Sequence, residues 1–78
     1  MRKIPSMKIT RLLRIICSEP LNYRILRIHG SHRFLVSSNY PSFVLSTHHG
    51  REVPSNKVKS ILINEIGLSE EEAWKLIH

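Results

Sequence analysis

Five histidines, His29, His32, His48, His49 and His78, are the side chains here best suited to moving protons near neutral pH. Three roles compete for them. A metal site would draw on His29 and His32, three residues apart, with His48-His49 supplying a further ligand. Against it, His29 and His32 straddle an expected turn, neighbouring histidines rarely bind one ion, and Cys17 is the only cysteine in a chain without aspartate. The sequence therefore predicts no metal and no cofactor. The plain alternative is a surface role, which is the expectation for His29, His49 and His78. The third role is catalysis, and it centres on Gly30-Ser31-His32. There a histidine opens a strand directly after a flexible glycine, amid Arg24, Arg27 and Arg33. RNA brings its own nucleophile, the 2′-OH. A ribonuclease then needs a base near that hydroxyl, a cation near the phosphate and a means of alignment, but no metal.

Charge favours a polyanionic partner. The chain has 12 Lys and Arg against 6 acids, a net charge of +6. Up to Asn39 there are eight basic residues and one acid, Glu19, for +7; beyond it four basic residues meet five acids, for −1. Such asymmetry suits a nucleic acid, an acidic protein or an anionic surface. The lack of aspartate counts against a magnesium-dependent nuclease, which needs clustered carboxylates. No apolar run exceeds three residues, which predicts neither a transmembrane helix nor a signal-peptide core. With 78 residues and a lone cysteine, the expectation is one disulfide-free domain in the reducing cytoplasm.

These residues need elements to hold them. Residues 1–5 read as a basic leader and 6–78 as the domain. Ile9, Leu12, Leu13 and Ile16 fall on one face of a helix over about Ser6 to Cys17, with Lys8, Arg11 and Arg14 opposite and Ile15 beside the basic face. Tyr23 to Ile28, Ser31 to Ser37 and Phe43 to Thr47 read as three strands of an antiparallel meander, with His32, Phe34 and Val36 on one face of the second. Pro54-Ser55 opens a second helix that buries Val58, Ile61, Leu62 and Ile66 and stops at Gly67. Ser69 and Glu72 form a capping box for a short last helix to about Ile77. The order α-β-β-β-α plus a short extra helix predicts an α+β two-layer sandwich of the double-stranded RNA-binding-domain type.

Within that frame the motifs resemble the HicA family of toxin mRNA interferases. Gly30-Ser31-His32-Arg33 resembles the family's catalytic signature, His48-His49-Gly50 its histidine-containing loop, and Ile61-Leu62 through Gly67-Leu68-Ser69 its last long helix. The likeness runs from about Ile9 to Ile77. It departs at Glu19-Pro20-Leu21-Asn22, at the Ser38-to-Ser42 turn and at Arg33. What the resemblance implies is a metal-independent endoribonuclease of a toxin–antitoxin system. His32 would be its general acid or base, with Ser31 and His48 in supporting roles, and mRNA its substrate. The chain would be monomeric alone and form a hetero-oligomer with a HicB-like antitoxin. On charge, Arg27, Arg33 and Lys57 are candidates to steady the phosphate, and Lys8, Arg11 and Arg14 to grip the RNA backbone. Two alternatives remain open: a non-catalytic RNA-binding domain of the same fold, and an adaptor that docks a protein on Ile15 or Trp74.

Overall fold

The computed structural model describes residues 3–46 and 52–78. Two short strands, β1 (Met7–Lys8) and β5 (Glu52–Val53), pair antiparallel and join the segment before the first helix to the segment before the second. Between them run α1 (Ile9–Ile16) and a three-stranded antiparallel sheet of β2 (Arg24–His29), β3 (His32–Val36) and β4 (Phe43–Ser46), in the order β2-β3-β4. After β5 come α2 (Ser55–Lys59), which widens into a π-helical stretch (Ser60–Glu65), and α3 (Glu70–Ile77).

The chain is thus an α+β fold with a three-stranded antiparallel sheet, as the sequence predicts, and most limits agree within a residue or two. The first helix is the main correction. It starts at Ile9 rather than Ser6, because Met7 is buried in the β1–β5 pair and its backbone bonds go there instead. Ile4 also packs on the core, so the leader is not wholly loose. Leu12 and Ile16 are fully buried and Ile9 and Leu13 half-buried, the expected face. Ile15 is half-buried against the same core, and Trp74 stacks on His78 at 3.9 Å between ring centroids. Ile15 and Trp74 are thus both partly covered by the fold.

One apolar cluster joins the layers. Leu35, Phe43 and Leu45 from the inner face of the sheet meet Leu12, Ile16, Val58, Ile61, Leu62, Ile66, Ala73 and Ile77 from the helices. Tyr23 anchors the loop before β4: its hydroxyl donates to Pro41 O at 2.6 Å and its ring meets Phe43 edge-on at 5.2 Å. Burial, and then the neighbouring Tyr40, raise the Tyr23 phenol above its ordinary pKa. The second helix ends at Gly67, whose φ of +92° is open to glycine and lets Leu68 N–H reach back to Leu62 O at 3.0 Å. Among the described residues no helix is long and apolar enough to cross a membrane.

The capping box of α3 forms in full. Ser69 N–H donates to Glu72 Oε1 at 2.9 Å, and Glu72 N–H donates to Ser69 Oγ at 3.1 Å. The Ser69 backbone N–H, and then its side chain, hold the Glu72 carboxyl below the usual carboxylate range. A carboxyl depressed in the folded state adds stability above its unfolded pKa and loses it as pH falls through the folded value. Glu72→Gln, which keeps the capping geometry but not the charge, is therefore expected to be less stable than wild type at neutral pH. The gap closes as pH falls through that lowered value. Urea midpoints across an acid series check this, and a gap independent of pH rejects it.

Candidate active site on the open face of the sheet

Among the described residues the helices cover one face of the sheet only. Which residues stand on the other face is decided by pairing register, since residues directly opposite on antiparallel strands share a face. Three rows face outward: Arg24 with Val36, Arg27 with Phe34 and Val44, and His29 with His32 and Ser46. The inward rows are Ile25 with Leu35 and Phe43, and Ile28 with Arg33 and Leu45.

Two local features set this arrangement. The first is the loop. His29 pairs with His32, so Gly30 and Ser31 alone make the turn, with Gly30 at φ +62°. A glycine of positive φ at the first central position, followed by a residue of negative φ, is the II′ pattern that matches the twist of a hairpin. The second is a bulge. Ile25 pairs with Leu35 and Arg27 with Phe34, which leaves Leu26 as an extra residue. Strict alternation would put Ile25, Arg27 and His29 on one face. The extra residue shifts the phase, so Ile25 points to the helices while Arg27 and His29 point out.

The result is a shallow depression of about 300 Å³ lined by Arg27, His29, His32, Phe34 and Val44. The Arg27 guanidinium carbon lies 5.6 Å from the centre of the Phe34 ring, within cation–π range. None of the six glutamates falls in β2, β3 or β4, so no carboxylate of the sheet offsets these cations. Two imidazoles beside a guanidinium can exchange protons with, and hold, a phosphate ester. Among the described residues no group of three His, Cys, Asp or Glu could hold a metal ion.

Of the residues the sequence singles out, the fold brings Arg27 to His32 and leaves others elsewhere. Ser31 sits in the turn beside His32. Arg33, expected near the phosphate, points to the opposite face, since its neighbour His32 points out and strand side chains alternate. Lys57 is exposed on α2, away from the sheet depression. Lys8, Arg11 and Arg14 do cluster, around a second shallow groove that also contains Glu52. Arg11 is engaged there: its Nη2 donates to Ile77 O at 3.3 Å, capping the C-terminus of α3. His48 and His49 lie outside the described residues. His29, expected at the surface, is exposed, and the turn pairs it with His32, a neighbourhood that the sequence expectation does not include. The signal was present, because two residues flanking a two-residue loop are cross-strand partners.

Compared with family models, with curated proteins and with solved structures, the chain finds no match.

A Cβ at Gly30 would meet nothing within 4 Å, so substitution there is resisted by backbone conformation alone. Gly30→Ala is expected to cost about 1 kcal/mol, read as a lower urea midpoint. A neutral or stabilising change would contradict the turn geometry.

Proposed function

We propose that this chain is a metal-independent endoribonuclease of the HicA type, with a double-stranded RNA-binding-domain-like fold and His32 as the general acid or base. One observation carries the reading: the Gly30-Ser31 turn sets His32 beside His29 on a cationic sheet face that, among the described residues, no helix covers. The α-β-β-β-α order and the resemblance of Gly30-Ser31-His32 to the HicA signature point the same way.

In the reaction the RNA 2′-OH attacks the adjacent phosphorus. An imidazole takes the proton from the 2′-oxygen as the P–O2′ bond forms. The P–O5′ bond breaks, and the leaving oxygen takes a proton from an imidazolium or from water. The products are a 2′,3′-cyclic phosphate and a 5′-OH end. Arg27 is placed to offset charge that grows on the phosphate. Lys8 in β1 and Arg14 on α1 supply a second, non-reacting grip on the backbone. The partner in this reading is a HicB-type antitoxin whose acidic surface covers the open face and silences it.

His32→Ala is expected to lower RNA cleavage by ~10²–10⁴-fold while the protein stays folded, and to relieve growth arrest on expression without a partner. End-labelled RNA and a circular dichroism spectrum read both. Full cleavage by a folded His32→Ala preparation rejects the assignment. RNA binding with no cleavage by wild type would make the chain a binding domain instead.

Chelation should leave the rate unchanged, because the nucleophile belongs to the RNA and the site offers no carboxylate pair. Cleavage with and without EDTA checks this, with 5′-OH and cyclic phosphate ends expected in both. Loss in EDTA that magnesium restores would overturn the mechanism.

A further inference from the structure

The open face carries more than a proton-transfer group. Next to the histidine row, two residues along each strand, lies the Arg27–Phe34–Val44 row. Phe34 is only half-buried although its neighbour Leu35 is fully buried, and Val44 is 52% exposed. This is a flat apolar floor with a guanidinium stacked over it, and the folding core does not use it.

We propose that the Arg27–Phe34 stack is a nucleobase subsite, which takes one unpaired base of a single-stranded RNA beside the histidine pair. The inference rests on RNA as the substrate and adds how the strand is positioned. The chemistry selects the occupant. A base has a π-face for an arginine–aromatic stack and is tied to an anionic phosphate. The floor meets the first requirement. The second is met by Arg24, Arg27, His29 and His32 on the same face, with no glutamate in β2, β3 or β4. Spacing agrees too: rows two residues apart on a strand are separated by about 6.7 Å. A base on Phe34 therefore leaves its neighbouring phosphate over His29 and His32. A paired base keeps both faces stacked inside a duplex, so the subsite favours a single strand.

The test separates stacking from charge. Binding is measured in the His32→Ala background, so that the RNA stays intact. The probes are a short single-stranded RNA of mixed sequence and its base-free sugar–phosphate counterpart, each titrated across a salt series. Phe34→Leu keeps an apolar side chain but removes the ring. It should weaken binding to the base-containing strand by about 5- to 150-fold, leave the base-free strand unaffected and leave the salt slope unchanged. Phe34→Tyr should restore binding. Arg27→Gln should lower the log–log salt slope by about 0.7. Unchanged binding of both strands by folded Phe34→Leu, or an equal loss on both, overturns the subsite. So does absence of RNA binding by the parent. Cleavage by wild type, run in parallel, keeps the two readings apart. Cleavage with no effect of Phe34 on binding sinks the subsite alone, and ring-dependent binding without cleavage sinks the nuclease alone. If Phe34→Leu impairs only binding of an acidic antitoxin, the face is a protein-docking site and the proposal fails.

Discussion

The outer face depends on the phase of the pleat in β2, and one extra residue sets that phase. A strand has only two faces, and its side chains alternate between them without exception unless the chain inserts a residue. By register Ile25 shares the inward row of Leu35 and Phe43, although on this edge strand it is itself 38% exposed. Two residues later the same strand must send Arg27 the other way. Leu26 in the bulge reconciles the two demands. A regular strand with Ile25 in the inward row would turn Arg27 and His29 toward the helices and dismantle the cluster. A regular strand with Arg27 outside would turn Ile25 to the outward face, away from the Leu35–Phe43 row.

This division keeps the buried core and the Arg27–His29–His32 cluster on separate surfaces. The fully buried side chains of the sheet, Leu35 and Leu45, belong to inward rows. The residues around the depression belong to outward ones. Changes at Arg27, His29 or His32 therefore open no cavity, and their effects on function can be measured on a folded protein. The α1 side is different. Arg11 bonds the last turn of α3, so part of that basic patch holds two helices together as well as carrying charge.

Much of this was legible in the sequence, because the signals were local and periodic. The buried face of α1, the four apolar positions of the second helix, the Gly67 stop and the Ser69–Glu72 box all follow from spacing along one element, and all formed. What was not legible depends on pairing between elements. The β1–β5 bridge joins residues more than forty positions apart through backbone bonds, which leave no mark on residue type. The Leu26 bulge hides because Ile25, Leu26 and Ile28 are all apolar and fit either phase. Arg33 was assigned by nearness in sequence to His32, yet adjacency on a strand means opposite faces. The His29–His32 pairing depends on the loop being only two residues long, which residue type alone does not dictate.

The strand that holds this site is also the rim of the sheet. β2 pairs on one side only, with β3, and all six of its residues are exposed, Leu26 and Ile28 by 58% and 57%. An uncovered apolar rim with free backbone groups is a template for like strands to stack upon. Here Arg24 and Arg27 stand on the same rim, so two copies meeting antiparallel along it would set guanidinium against guanidinium. The same cations would thus oppose such pairing along the rim. That safeguard is electrostatic: it fades as salt shortens the range of the repulsion, while the apolar attraction beneath it persists.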